Sequence, residues 1–431
     1  MRDLESSAVR DILKLTQRPE VLSLAGGLPA SELFDVLGLA DAFDRVLRGP
    51  GGAQSVQYTV SEGDPELRER LAELTLARGV QAAGEDVLVT TGSQQALDLV
   101  VTVLLAPGET VLVERPCYLA ALQLFALSGA RVVSVPCDDD GLIPETLETA
   151  IRQHRPKLLY TVPTFQNPTG VTLSLERRGE IARLAEREGL WVVEDDPYGE
   201  LRYHGEALPL LTSFGAGRVI YVSSLSKILA PGLRLGWVLC PPSLRAALTV
   251  AKQAKDLHTS TVDQRAAAEY LATGALGPHV ERLCDAYRPR LDAMLEILPQ
   301  VLPEGSRWTR ATGGMFVWVE LPPEVDALTL LPAAVEKGVA FVPGAPFFAE
   351  EGRRNSLRLS FVTLPPNQLD EALQRLHAAL MQRCCQASVQ AFRKGERWDS
   401  NPRPPGPQPG APGEGGVGLR AAEPFPFARV G

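Results

Sequence analysis

Lysine is scarce in this chain, 7 residues against 36 arginines, so the search for a nucleophilic amine is short. Lys14 sits on the N-terminal amphipathic stretch, Lys252 and Lys255 on a helical stretch, Lys337 at a helix end and Lys394 near the C-terminus. Lys157 precedes a strand, and only Lys227 directly follows a buried one, in VSSLSKILAPGLRLGW. An amine desolvated there, with the hydroxyls of Ser223, Ser224 and Ser226 around it and Arg234 close in sequence, is pushed toward its neutral form and can attack a carbonyl. The ordinary alternative is a solvated loop lysine. VVEDDPY puts Asp195 and Asp196 at the C-terminal end of an expected parallel strand, where α/β sheets place ligands. TFQNPTG offers Asn167 in a Pro-Gly turn at the end of the preceding strand. TTGSQQALD is a strand-to-helix junction with Gly92, Ser93 and Gln94 at the helix start, and the free N–H groups of such a start suit a phosphate. Taken singly, each of these is also a plain turn or cap. Together they set a phosphate cradle, an amide, a carboxylate and a buried lysine on neighbouring loops, and that combination is far more specific than any member.

The elements that must position these groups follow two alternating periods. EDVLVTTG reads as a buried strand and SQQALDLVVTVLL as a helix starting at a serine cap. TVLVERP, RVVSVP, KLLYTVP, LWVVEDDPY and RVIYVSSLSK continue as strands, with YLAALQLFALSGA, PETLETAIRQHRP and LERRGEIARLAEREG as helices between the first of them. Short continuous apolar strands separated by amphipathic helices imply an α/β domain, over residues 45–285, with a mainly parallel sheet covered on both faces. From 286 the order changes. RPRLDAMLEILPQVL reads as a helix, GGMFVWVEL as a strand of alternating type, NSLRLSFVT as another strand and LDEALQRLHAALMQRC as a closing helix. That order suggests a smaller α+β domain over 286–385. Residues 401–418 hold 6 prolines and 6 glycines, so 386–431 is read as a disordered tail.

The chain has 431 residues, 45% of them hydrophobic and 22% charged, an ordinary globular composition. Its 43 basic and 52 acidic residues leave a net charge of −9, which argues against nucleic acid or an anionic membrane as a partner. No apolar run approaches the roughly 18 residues of a membrane span. The six cysteines form no C-x-x-C, and the five histidines pair with neither cysteine nor one another at ligand spacing, so no metal site is expected. Scattered cysteines of this kind fit a reducing cytoplasm.

With these stretches assembled, the chain resembles the class I/II, fold-type-I aminotransferases that use pyridoxal 5'-phosphate, and within them the 2-aminoadipate and kynurenine/aminoadipate enzymes. The matching stretches are SLAGGLPA, QYTVSEGDPELR, TTGSQQALDL, PCYLAAL, PTFQNPTG, VVEDDPYGEL, SSLSKILAPGLRLGW, GGMFVWVEL, FVPGAPFF and NSLRLSF, in the family's order from Arg10 to about residue 380. The resemblance implies an aspartate-aminotransferase-like fold with residues 1–44 as an N-terminal arm and substrate-recognition helix. It implies that Lys227 bonds to the cofactor and shuttles the substrate proton, with Asp195 on the pyridine nitrogen. Asn167 and Tyr198 fall where the family donates to the ring's phenolic oxygen, and Tyr118 where an aromatic stacks on the ring. Gly92, Ser93, Gln94, Ser224 and Arg234 match the phosphate anchors. Tyr58 matches a tyrosine that reaches the phosphate from the neighbouring subunit, which implies a homodimer. Arg358 matches the arginine that holds the substrate α-carboxylate, a role suited to a planar fork of parallel donors. Gly27 and Asn167 lie beside the substrate, and Arg10 falls where the family meets a distal acidic group.

The implied activity is transfer of an amino group from an L-amino acid (2-aminoadipate, branched-chain or aromatic) to 2-oxoglutarate, within amino acid metabolism and lysine biosynthesis. Two other readings use the same residues. A regulator with an aminotransferase-like domain carries a DNA-binding region ahead of it, whereas only a short helix precedes SLAGGLPA in this chain. A β-lyase would share the cofactor and the carboxylate-binding arginine, because reaction type depends on which Cα bond stands perpendicular to the ring.

Overall fold

Runs of valine, leucine and isoleucine without polar alternation make strands that are covered on both faces. The computed structural model describes residues 20–215, 217–350 and 353–393, and in it these runs build an eight-stranded sheet. Numbered along the chain, β1 (Leu22–Ser23) comes before that sheet. The sheet itself holds β2 (Val87–Thr90), β3 (Thr110–Arg115), β4 (Arg131–Asp138), β5 (Gly141–Leu142), β6 (Leu158–Thr161), β7 (Trp191–Asp195), β8 (Val219–Ser224) and β9 (Gly236–Leu239). Their spatial order is β2-β9-β8-β7-β6-β3-β4-β5. Strands β8, β7, β6, β3 and β4 run parallel. Helices Leu119–Ser128, Pro144–His154 and Leu175–Glu188 make the crossovers between them. Alternate strand residues feed two apolar cores: Val111, Val113, Leu158, Tyr160 and Val193 enter one, and Leu112, Leu159, Val192 and Val219 the other.

Strand β9, the run GWVL, was not among the expected elements, because it is short and buried within the lysine-bearing motif. It runs against both β2 and β8. That reversal matters for position. Gly236, the first residue of β9, pairs with Thr90 at the end of β2 and with Ser224 at the end of β8. The loop entering β9, with Arg234, therefore opens at the same sheet end as Asp195 on β7 and the helix following β2.

Three local expectations need correction. Helix Gly92–Leu104 starts before Ser93; its N-cap is Thr91, and no side chain caps it, because Ser93 already lies within the first turn. The GGMFVWVEL strand is not half-exposed: Phe316 to Val319 are all buried, since both faces of this strand meet the core. The helix read from residue 288 spans Leu276–Val301, with Pro289 and Pro299 inside it, so the boundary drawn at 285/286 falls within one continuous helix.

After that helix come β10 (Arg307–Trp308), β11 (Phe316–Glu320), β12 (Val339–Ala340), β13 (Val342–Pro343) and β14 (Ser356–Ser360). Strands β10-β11-β14-β13 form an antiparallel sheet, and β12 pairs in parallel with β1. The register sets Arg358 opposite Trp318 and Val342. All three sheets belong to one compact unit ending at Cys384, and a second unit begins at Cys385. The last helix described is Pro366–Arg393, which corrects the disordered tail expected from 386: residues 386–393 hold no Pro or Gly and continue the helix. Arg10, the N-terminal recognition helix expected around it and the rest of that tail, 394–431, lie outside the described residues. Among the described residues no helix is long and apolar enough to cross a membrane, and no group of three His, Cys, Asp or Glu could hold a metal ion.

Candidate active site

Lys227 follows β8 by three residues, and its half-buried amine donates to Gly27 O at 2.8 Å. Burial pulls its pKa down to about 8, helped by the positive charges of Arg358 and Arg234. The acceptor belongs to the SLAGG stretch that follows β1. A Cβ on Gly27 would lie 3.1 Å from the Phe316 ring, so a larger residue there would crowd that ring. Two residues earlier, Ala25 O accepts from Arg358 Nη2 at 2.9 Å. Arg358 is buried on β14. Its Nη1 donates to Asn167 Oδ1 at 2.8 Å, its guanidinium carbon stands 4.1 Å from the Phe316 ring centre and 5.2 Å from that of Phe347, and its Nε has no partner among the described residues. Burial pulls its pKa down to about 10, with Tyr198 and Tyr118 opposing.

Asn167 also reaches the buried hydroxyl of Tyr198, with Nδ2 at 3.5 Å from it. Tyr198 packs edge-on to Phe316 at 6.1 Å, and burial raises its pKa. Asp195 ends β7 as a buried carboxylate. Its Oδ2 accepts from Tyr160 Oη at 2.7 Å, and its Oδ1 is buried with no partner among the described residues. Burial lifts its pKa to about 7, the Tyr160 hydrogen bond pulls it back, and the charges of Asp196 and Glu114 push it up again. Tyr118 stands as N-cap of the Leu119–Ser128 helix, its pKa raised by burial and by Asp195 and lowered by Arg358 and Arg234. Those electrostatic partners put it among the same groups.

The phosphate-suited corner is built on Gly92. Its φ is +77°, and a Cβ there would come within 2.5 Å of Arg234 Nη2, so only glycine lets the guanidinium lie over the helix start. Ser224 Oγ is 2.9 Å from Leu235 O and 2.8 Å from Ser226 Oγ, which ties the end of β8 to the strand entering beside it. Ser93 is half-buried and Gln94 exposed at the first turn, and Arg234 is also exposed. The structure thus brings Gly27, Gly92, Ser93, Tyr118, Asn167, Asp195, Tyr198, Ser224, Lys227, Arg234 and Arg358 to one sheet end. It does not bring Tyr58 there within the single chain. Tyr58 is 77% exposed, edge-on to His258 at 5.6 Å, in an open groove lined by Ser55, Val56 and Thr261.

The aminotransferase class I and II family model matches residues 52–376. The chain belongs to the class I and II aminotransferases. It is 45% identical over 382 residues to the 2-aminoadipate transaminase of Thermus thermophilus, covering 88% of this chain and 94% of that protein. It is 42% identical over 380 residues to the aromatic-amino-acid aminotransferase 1 of Thermococcus litoralis, covering 86% and 91%. Among solved structures it is similar to LysN, the alpha-aminoadipate aminotransferase of Thermus thermophilus complexed with N-(5'-phosphopyridoxyl)-L-leucine, with a TM-score of 0.83, 42% identity and 89% and 96% coverage. These comparisons identify the architecture as the aspartate-aminotransferase-like fold.

The cofactor of this aminotransferase is pyridoxal phosphate, and the residues present fit it. An unpartnered buried carboxylate oxygen suits a ring N–H, an uncapped helix start beside a guanidinium suits a phosphate, and an amine of lowered pKa suits an aldehyde. Some groups at the site escaped the reading of the sequence. Tyr160 read as one more residue of the KLLYTVP strand, although its hydroxyl donates to Asp195 Oδ2. Ala25 acts through its backbone carbonyl, which no side-chain pattern reports. Glu114, buried at the end of β3, accepts from Thr161 Oγ1 (2.6 Å), Val162 N (3.1 Å) and Gln166 Nε2 (3.2 Å) and so anchors the turn that carries Asn167.

Proposed function

We propose that this aminotransferase moves the amino group of an L-amino acid (2-aminoadipate, or one with a branched aliphatic or aromatic side chain) onto 2-oxoglutarate in two half-reactions on one site. The observation that carries the reading is the convergence of Lys227 Nζ on Gly27 O and Arg358 Nη2 on Ala25 O, two carbonyls of one short stretch. That spacing sets a proton-transfer amine beside the group suited to the substrate's α-carboxylate. The named relatives act on 2-aminoadipate and aromatic amino acids, which supports the donor range.

Bound here, pyridoxal phosphate supplies an aldehyde for the incoming amine and a ring that accepts the electrons left when the Cα proton departs. Lys227 takes up and returns that proton at Nζ, which its lowered pKa allows. Asp195 Oδ1 would accept from the ring nitrogen and keep its proton in place. Asn167 and Tyr198 would donate to the phenolic oxygen, Tyr118 would cover one ring face, and Gly92, Ser93, Gln94, Ser224 and Arg234 would hold the phosphate. Arg358 exchanges its backbone acceptor for the substrate carboxylate, so the free chain keeps the guanidinium solvated by Ala25 O until substrate arrives. Tyr58, exposed and unconnected to its own chain's site, completes the phosphate seat of a second copy in a homodimer. Arg10 meets the distal carboxylate of an acidic substrate. We place the enzyme in the cytoplasm, and 2-aminoadipate as donor suits lysine biosynthesis.

The test is the absorbance spectrum of the purified protein before and after L-2-aminoadipate, with no oxo acid present. Bleaching of the yellow band to the pyridoxamine form is the expected result. A band that bleaches with leucine or phenylalanine but never with 2-aminoadipate would remove the acidic donor, and no band with added pyridoxal phosphate would remove the enzyme reading itself.

A further inference from the structure

Lys252 is fully buried, and the chemistry above makes no use of it. It lies on the Pro242–Asp256 helix, with Nζ 2.9 Å from Asp256 Oδ1, 2.9 Å from Gln95 Oε1 and 3.0 Å from Thr259 Oγ1. Asp256 Oδ2 accepts from Gln95 Nε2 at 2.6 Å and from Thr91 Oγ1 at 3.0 Å. Gln95 Oε1 accepts from the backbone N–H of Thr91 at 2.7 Å, and Thr91 Oγ1 is 3.2 Å from Thr259 Oγ1. Both polar handles of Thr91 are therefore held by one cluster.

Thr91 is the N-cap of the Gly92–Leu104 helix, and its side chain does not cap that helix. A threonine at this position ordinarily turns its hydroxyl onto the N–H groups of the first turn and satisfies one of them. Here the hydroxyl is drawn the other way, to Asp256. The first-turn donors are left without a side-chain acceptor beside Arg234. Lys252 is buried but its partner Asp256 lies at the surface, so the ion pair itself adds little net stability. What it fixes is an orientation.

We propose that Lys252 and Asp256 are positioning residues for the cofactor's phosphate: they hold Thr91 turned away from the helix start, which keeps the first-turn N–H groups free for the phosphate. The proposal rests on the reading that the phosphate seats on this helix.

The experiment compares the dissociation constants of pyridoxal phosphate and of pyridoxal, which lacks the phosphate, by absorbance titration of full-length protein stripped of cofactor. The proteins are wild type, Lys252→Met, Asp256→Ala, Thr91→Val and the double variant Lys252→Met with Thr91→Val. In wild type the phosphate tightens binding. In Lys252→Met and Asp256→Ala the released Thr91 hydroxyl turns onto the first turn, so that advantage shrinks about tenfold, as expected from losing hydrogen bonds to a charged group, while pyridoxal binds as before. Thr91→Val, which has no hydroxyl to turn, keeps the wild-type advantage and restores it in the double variant. Equal weakening of both ligands, no change in Lys252→Met and Asp256→Ala, or a double variant as weak as Lys252→Met overturns the proposal. If Lys252→Met does not fold, Asp256→Ala decides, since Asp256 is exposed. If wild type gains nothing from the phosphate, the phosphate seat itself is refuted and this proposal falls with it, a result distinct from variant-specific failure.

Discussion

Two lysines, one fully buried and one half-buried, have surroundings that differ in kind. Lys252, in the seam between helices Gly92–Leu104 and Pro242–Asp256, has a carboxylate, an amide oxygen and a hydroxyl around it. Lys227, at the open sheet end, has one backbone carbonyl and two guanidinium charges acting against it. Burial lowers the pKa of both, but at Lys252 the Asp256 charge and hydrogen bond oppose it. The same side chain is a satisfied strut in one place and a reactive amine in the other. The difference comes from what the pocket withholds: the Lys227 region also keeps Asp195 Oδ1 and Arg358 Nε without partners, whereas the Lys252 cluster spends its donors on its own acceptors.

The largest effect expected from breaking this contrast is at Lys227 itself. Lys227→Ala removes the covalent attachment and the proton shuttle together, so the rate of the half-reaction with an amino acid falls by a thousandfold or more, on the order of a full general acid–base contribution. Lys252 is no substitute, because its amine is committed to Asp256. Rapid mixing of each protein with 2-aminoadipate checks this, and a Lys227→Ala enzyme that bleaches at the wild-type rate would falsify the assignment.

A second prediction sharpens the comparison through charge. The Lys227 pKa of about 8 has burial as its largest cause and the Arg358 and Arg234 charges as further ones. Removing the Arg358 charge in Arg358→Met should therefore move that pKa upward, toward the ordinary lysine value. Cofactor capture requires the neutral amine, so in stripped wild-type protein the capture rate rises through about pH 8 and in Arg358→Met the rise shifts to higher pH. The same sign governs stability. A lysine whose pKa is depressed by folding costs stability once protonated, so this contribution worsens as pH falls from the unfolded lysine range toward about 8 and is constant below it. A rise that stays put in Arg358→Met would mean that burial alone sets the amine.

The two regions also differ in how far the sequence discloses them. The open sheet end was legible because its chemistry is written in local stretches. Gly92 before a helix, Asn167 in a Pro-Gly turn, Asp195 at the end of VVED and Lys227 after VSSLS each declare a strand end by their neighbours. The mainly parallel sheet was legible for the same reason: each strand is a short apolar run bounded by turn residues. The Lys252 cluster was not legible, because Gln95 and Lys252 are 157 residues apart and meet only when two helices pack. Arg358 and Ala25 are 333 residues apart and meet through a backbone carbonyl. Strand β9 was hidden because four apolar residues inside a catalytic loop carry no period. Ser93 was misread as a cap because serine before an apolar helix usually is one; here the helix begins on Gly92, whose missing Cβ admits Arg234.

The smallest effect is expected at Tyr160, the one neighbour that partly satisfies the otherwise unpaired carboxylate. Its hydroxyl donates to Asp195 Oδ2 at 2.7 Å, and this hydrogen bond holds the Asp195 pKa below where burial and the charges of Asp196 and Glu114 would take it. Tyr160→Phe removes the donor and leaves the ring in its apolar core, so the fold survives and Asp195 becomes harder to ionise. A protonated Asp195 cannot hold a proton on the ring nitrogen by charge. Turnover in Tyr160→Phe should then fall severalfold, close to tenfold at the low end of what a hydrogen bond to a charged group contributes. The loss should be greatest below pH 7, where the raised pKa keeps most of the carboxyl neutral, and smallest at alkaline pH, where it ionises regardless. A pH–rate profile parallel to wild type across that range would show that Tyr160 only packs, and that Asp195 owes its charge state to other neighbours.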